Sequence, residues 1–209
     1  MQLVSYTDHL QQLPINGRHI VGTFTSKSIV VYQAFDKAIA IPALKQNIFV
    51  PPFSYSRLSW IKPNFMWMMY RCNWGLNNDY VLAIHLDRQE FESILRQAIY
   101  TQFSPEKYDS ARAWRAAMKK SNVRVQWDPD HGPDGKSLDR RAIQLGLSGD
   151  ALGHYARKSI NKIEDVSDFV RSQRRFAHKG DVGSLRVPLE RVYQPNDLVV
   201  REYLGLDSF

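Results

Sequence analysis

Short runs of apolar and β-branched residues, bounded by turn residues, recur along this chain and predict strands. Five such runs cover residues 19–25, 28–33, 80–86, 123–127 and 142–147. Only Ser26 and Lys27 separate the first two runs, which predicts a β-hairpin near the start of the chain. The later runs are short and mainly apolar, as in buried strands.

The segments between these runs have the length and capping residues of helices. Helices are predicted over residues 36–46, 63–75, 87–102, 110–120, 150–163 and 165–177. Asp36 is the predicted N-cap of the first, which Pro42 is expected to kink. Asp87 and Glu90 form a capping-box-like start for the third. Beyond Gly180 the chain is predicted to be irregular and extended.

Irregularly interleaved strands and helices favour an α+β fold over a doubly wound sheet. The predicted architecture is one domain over residues 1–209, with a mixed or antiparallel sheet flanked by helices. Its core is expected over about 18–191, and residues 180–209 are expected to form an extended C-terminal segment. A chain of 209 residues suits one domain with a sizeable core.

Charge and cysteine content narrow the functional classes. The chain has 28 basic and 21 acidic residues, a net charge of +7, which suits nucleic acid, an anionic membrane or a phosphorylated small molecule. The single cysteine, Cys72, excludes an intramolecular disulfide. No apolar stretch approaches the ~20 residues of a membrane span, and no signal peptide is visible. We therefore expect a cytoplasmic protein without a membrane partner.

Aromatic and cationic residues are interleaved in an acid-free segment between Asp36 and Asp79. Arg57, Lys62 and Arg71 lie there among Trp60, Tyr70 and other aromatic residues. Cations of this kind bind phosphates and aromatic rings stack on bases or nicotinamide, so the segment predicts a nucleotide site. The alternative is an aromatic core whose cations point outward to solvent.

Helical spacing places one of these cations inside the aromatic pattern. On the helix predicted over 63–75, Trp67, Tyr70, Arg71 and Trp74 fall on one face. A guanidinium within an aromatic stripe must be paired, stacked or facing a cleft. This spacing favours a role for Arg71 in a binding site.

A second candidate site lies at the end of the strand predicted over 123–127. Gln126 and Asp128 point to the same side of an extended chain, so an amide and a carboxylate can act on one ligand. The alternative is turn chemistry, because Asp-Pro-Asp followed by Gly132 is an ordinary way to end a strand.

Two cationic helices form a candidate rim for nucleic acid, and no metal site is predicted. The rim residues are Arg115, Lys119 and Lys120 on one helix and Arg174 and Arg175 on another. Such faces are also common on solvated surfaces. The histidines and the cysteine lack metal-ligand spacing, and no Walker or dinucleotide-binding glycine motif is present.

Several long motifs closely resemble the domain-of-unknown-function 4291 family. The most specific is Trp60-Ile61-Lys62-Pro63-Asn64-Phe65-Met66-Trp67-Met68-Met69-Tyr70-Arg71. The resemblance continues at 31–35, 49–53, 123–129 and 143–149, and covers about Arg18 to Arg191. This family name carries no activity.

The order of elements also resembles the ADP-ribosyltransferase fold. Tyr32-Gln33 resembles its first element, with glutamine where histidine or arginine is usual. Residues 57–60 fall in the nicotinamide-ribose segment, and 126–128 resemble the late Gln/Glu-x-Glu motif with aspartate replacing glutamate. The resemblance implies an enzyme that uses NAD as co-substrate, with Asp128 and Gln126 catalytic. Around NAD it implies Gln33, Arg57, Trp60, Lys62, Tyr70 and Arg71.

Our leading hypothesis is therefore an NAD-dependent ADP-ribosyltransferase-like enzyme that requires no metal, with nucleic acid as a candidate acceptor. Three alternatives stay open. One is a non-catalytic RNA- or DNA-binding module, and another is a nucleotide-processing phosphotransferase that uses the same cations on phosphates. The third is an interaction domain with an aromatic core.

Overall fold

A three-stranded antiparallel sheet forms the centre of the protein. The structure is a computed structural model and describes residues 1–77 and 80–209; Asp79, which closes the acid-free segment, lies outside the described residues. Strand β6 (Tyr80–Asp87) pairs with β4 (Ser28–Phe35) on one side and with β10 (Ile160–Asp165) on the other. Alternate residues of β4 and β6 enter two separate apolar clusters, so both faces of this sheet are buried.

A second, five-stranded sheet is built around a long hairpin. Strands β8 (Val123–His131) and β9 (Ser137–Leu147) pair antiparallel. Strand β7 (Ala98–Tyr100) lies parallel to β8, while β5 (Ser59–Ile61) and β2 (Gly17–Arg18) pair with β9. This sheet is therefore mixed, whereas the central sheet is antiparallel.

Two short strand pairs and eight helices complete the described part of the chain. Strand β1 (Leu3–Ser5) pairs with β11 (Arg186–Pro188), and β3 (Ile20–Gly22) pairs with β12 (Arg191–Tyr193). The helices are α1 (Tyr6–Gln11), α2 (Lys37–Gln46), α3 (Phe65–Cys72), α4 (Arg88–Arg96), α5 (Ala111–Lys120), α6 (Gly149–Lys158), α7 (Ser167–Lys179) and α8 (Leu198–Leu204). None of the described helices is both long and apolar enough to span a bilayer. The α+β class with mixed and antiparallel sheets flanked by helices is confirmed.

Two predicted helices extend too far at their C-terminal ends. The helix predicted over 87–102 ends at Arg96, and β7 follows; the helix predicted over 150–163 ends at Lys158, and β10 follows. Both strands are short and follow a helix with almost no break. Tertiary pairing with β8 and β6 overrides the local helical pattern there.

The structure contains the predicted N-terminal hairpin only near its turn. Phe24 and Ile29 form an isolated antiparallel bridge, but β3 leaves β4 and pairs with β12. The C-terminal segment, predicted to be irregular and extended, contains the short strands β11 and β12 but also the helix α8. Asp197 caps this helix by accepting hydrogen bonds from the amides of Val199 and Val200.

Candidate functional site

The two sheets meet where β4 approaches β5. The Tyr32 amide donates a 2.7 Å hydrogen bond to the Lys62 carbonyl, immediately after β5. Helix α3 starts close by, where the Asn64 side chain accepts from the Trp67 amide at 2.6 Å. The Phe65 amide donates to the buried Glu190 carboxylate at 2.7 Å. These bonds fix α3 beside the junction of the sheets.

The side chain of Gln33 forms hydrogen bonds across this junction. Its Nε2 donates to Ser59 Oγ at 2.9 Å and to the Trp60 carbonyl at 3.1 Å, while Tyr155 donates to its Oε1 at 2.7 Å. Both amide hydrogens are thus used within the protein. Gln33 lines the site, and its contacts are those of a residue that holds β5 and α6 against β4.

A cavity of about 400 Å³ opens at the junction; we call it the first cavity. Five of the six predicted NAD-binding residues line it: Gln33, Arg57, Trp60, Lys62 and Arg71. Its walls also include apolar groups, among them Phe53 and Ile39. The volume is within the range of small-ligand sites.

Lys62 is the most unusual residue of the first cavity. Its side chain is only 6% exposed, yet it makes no hydrogen bond or ion pair with any residue that the structure describes. Burial lowers its pKa to about 8, with a further contribution from the positive charge of Arg71. A buried ammonium without a partner is costly, so this position favours an anionic ligand.

Arg57 and Arg71 are exposed and face the same cavity. Within the described residues, neither guanidinium forms an ion pair or a hydrogen bond. The first cavity therefore collects three cations of the acid-free segment, none of them in an ion pair with a described residue. An acidic residue that sequence reasoning took only for a helix cap, Asp36, also lines it, and its side chain makes no capping bond.

Trp60 is held flat against the sheet by a glycine. Trp60 pairs with Gly146 across β5 and β9, and a Cβ built on Gly146 would lie 3.1 Å from the Trp60 ring. Any larger residue at position 146 would displace the indole. Trp60 is half-buried and lines the first cavity, so its ring is available for stacking.

Gln126 and Asp128 lie within β8, and the turn interpretation of this segment is wrong. The strand runs through to His131, and the turn follows at Gly132–Gly135. As predicted, both side chains point to one side of the strand: Gln126 Nε2 donates to Asp128 Oδ1 at 2.8 Å. Gln144 of β9, which sequence reasoning missed, donates to Asp128 Oδ2 at 2.7 Å. Two amides thus orient one carboxylate.

The register of the second sheet shows which residues share a face with Asp128. Trp60 pairs with Gly146, and Gln144 pairs with Gln126, so alternation places Trp60, Lys62 and Gln126 on one face. Asp128 follows on that same face. It also raises the pKa of Lys62 against the effect of burial, so the two charges are within electrostatic range. Neither Gln126 nor Asp128, however, is among the residues that line the first cavity.

Tyr70 does not line the first cavity. Helix α3 ends at Cys72, so Trp74 lies beyond the helix and the predicted four-residue stripe is wrong. Tyr70 instead stacks on His131, with ring centroids 3.6 Å apart and planes 12° apart. It lines a larger cavity of about 870 Å³ on the other side of α3, the second cavity.

The predicted nucleic-acid rim divides into two separate regions. Arg115, Lys119 and Lys120 are exposed on α5, which precedes the start of β8. Arg174 and Arg175 lie on α7, whose last residues line the second cavity near the far end of β8. Residues 123 and 131 of one strand are about 26 Å apart, so the two groups lie at opposite ends of the sheet.

The described residues contain no group of three or more His, Cys, Asp or Glu side chains arranged to hold a metal ion. Cys72 is buried, and burial raises the pKa of its thiol, so it is not activated as a nucleophile.

Comparison with known protein families matches residues 19–193 to the domain of unknown function DUF4291. This match covers most of the chain and contains every residue of both cavities named above. The chain belongs to the DUF4291 family. No curated protein matches it. The first cavity of this DUF4291 protein is formed by the family segment that the sequence motifs singled out.

Proposed function

We propose that this DUF4291 protein binds NAD in the first cavity and transfers its ADP-ribosyl group to an acceptor. The observation that carries the proposal is the buried, unpaired Lys62 beside Arg57 and Arg71. NAD carries a pyrophosphate, which matches a cluster of cations without internal partners. Trp60, held over Gly146, supplies a ring on which nicotinamide or adenine stacks.

Asp128 is the proposed electrostatic catalyst. In the transfer, the bond between ribose C1′ and the nicotinamide nitrogen breaks, and its electron pair leaves with nicotinamide. Positive charge develops on the ribose, and a fixed carboxylate stabilises it. The acceptor's lone pair then forms the new bond to C1′, and its proton is released to solvent. Gln126 and Gln144 hold the carboxylate in one orientation.

The test compares two carboxylates of the hairpin formed by β8 and β9, Asp128 and Asp139. We expect Asp128→Asn to reduce nicotinamide release from NAD at least 100-fold, because it removes the charge and keeps the shape. Asp139→Asn, which neutralises an exposed carboxylate of β9 outside the first cavity, is the matched control and is expected to retain more than half of the activity. Nicotinamide is measured by chromatography, and folding by thermal denaturation. Full activity in Asp128→Asn, or no release by the unmodified protein at any NAD concentration, contradicts the proposal.

The same cations also support a second candidate, a phosphotransferase acting on nucleotides. It differs in one measurable respect, because it is indifferent to nicotinamide. Stabilisation of the protein by ATP equal to that by NAD, together with phosphate transfer and no nicotinamide release, favours this candidate.

A further inference from the structure

Helix α3 separates two cavities, and its last turn contributes to both. Arg71 lines the first cavity, whereas the preceding residue, Tyr70, lines the second. Consecutive residues on a helix point about 100° apart, which explains this division. Strand β8 packs against α3, and its Asp128 precedes His131, the residue stacked on Tyr70, by three residues, about 10 Å along the strand.

Tyr70 presents an aromatic ring to the second cavity. Its ring lies parallel to those of His131 and Trp67, with interplanar angles of 12° and 16°. Trp67 and His131 are buried, but Tyr70 remains 43% exposed. The two buried rings fix the orientation of the exposed one, so a further planar ring stacks on it without reorganising the protein.

Basic side chains lie along α7 towards the second cavity, which the Tyr70 ring lines. Arg175, His178 and Lys179 share one face of the helix by their spacing, and all three are exposed. His178 and Lys179 line the second cavity. Asp134, an acid in the same lining, is paired with Lys136 at 3.1 Å. The unpaired charge of the cavity is therefore positive.

We propose that the second cavity binds single-stranded nucleic acid, with a base stacked on Tyr70 and the backbone phosphates along Arg175 and Lys179. An exposed ring combined with a line of cations is the recognition chemistry of single strands. This inference rests on the proposed function in one respect, because it identifies nucleic acid as the class of acceptor.

The experiment measures binding of a fluorescein-labelled ten-nucleotide poly(U) by anisotropy, without NAD. We expect Tyr70→Ala to weaken binding about tenfold, because it removes the stacking ring. Tyr70→Phe keeps the ring and is expected to bind within twofold of the unmodified protein. Equal affinities for Tyr70→Ala, Tyr70→Phe and the unmodified protein would overturn the inference.

Two double variants test where the phosphates of the nucleic acid bind. Arg175→Gln with Lys179→Gln is expected to reduce the salt-dependence slope of log affinity by about 1.4, at about 0.7 for each phosphate contact. Lys119→Gln with Lys120→Gln removes the same charge from α5 and is expected to change the slope by less than half as much. An equal or larger effect of the α5 pair contradicts the assignment. No binding by any form at low salt also overturns it.

Because NAD is absent from these measurements, they are independent of catalysis. If the unmodified protein never releases nicotinamide but Tyr70→Ala alone loses poly(U), the proposed function fails and the nucleic-acid site stands. If nicotinamide is released but the three forms bind poly(U) equally, the site fails and the enzyme stands.

Discussion

Two buried cations of this protein, Lys62 and Arg140, have opposite surroundings. Arg140 is 3% exposed; its Nε donates to Asp130 at 2.6 Å and one terminal nitrogen donates to the Pro14 carbonyl at 3.2 Å. Lys62 is 6% exposed and has no such partner among the described residues. A buried charge that is fully paired belongs to the architecture, whereas one that faces a cavity unpaired indicates a ligand.

The largest expected effect concerns the paired cation. Arg140→Met leaves the buried Asp130 carboxylate without its counter-charge, so we expect a loss of about 3–5 kcal/mol in the free energy of unfolding. Lys62→Met removes a buried charge that has no partner, and is expected to leave stability equal or higher at pH 7. Urea denaturation of both variants measures the difference. Similar destabilisation by the two substitutions would remove the distinction.

The second prediction uses the pKa of Lys62. This pKa is about 8 in the folded protein, whereas the ordinary value for lysine, expected in the unfolded chain, is 10.5. Between these values the unfolded chain binds more protons, so stability rises with pH across this window. The full difference corresponds to about 3 kcal/mol. We expect the stability advantage of Lys62→Met over the unmodified protein to shrink by up to that amount between pH 7.5 and 10.

Subtracting the two denaturation curves cancels the effect of tyrosines such as Tyr32 and Tyr155, whose pKa burial raises. A difference that stays constant with pH would mean that Lys62 already has a partner in solution.

The smallest of the three effects is on ligand affinity. Inorganic pyrophosphate tests the cations without nicotinamide or adenine. We expect Lys62→Met to weaken its binding about tenfold, because a charge-assisted bond in a buried site is lost. Lys119→Gln, an exposed cation on α5, is the control and is expected to change affinity less than twofold. Calorimetry measures the pyrophosphate affinity of both variants. Equal losses would mean that binding depends on the net charge of the protein and not on a site at Lys62.

The sequence predicted the cavity residues that are close together in the chain better than those that only the fold brings near. Arg57, Trp60, Lys62 and Arg71 are close in the chain, so composition alone grouped them, and they do line one cavity. Tyr70 belonged to the same group but lies in the second cavity, because one step along a helix turns the side chain away. Gln144 had no local signal; only its pairing with Gln126 across the hairpin brings it to Asp128.

The sequence by itself determined the α+β class, the family, and the acid-free segment that supplies the unpaired cations. These follow from local pattern and composition, which short-range physics fixes. Only the tertiary structure decided that β7 and β10 are strands, that Gln33 is tied to Ser59 and Tyr155, and that Lys62 is buried. Pairing and burial depend on residues far apart in the chain, so no local pattern distinguishes Lys62, the buried cation without a partner, from Arg140, the one with Asp130.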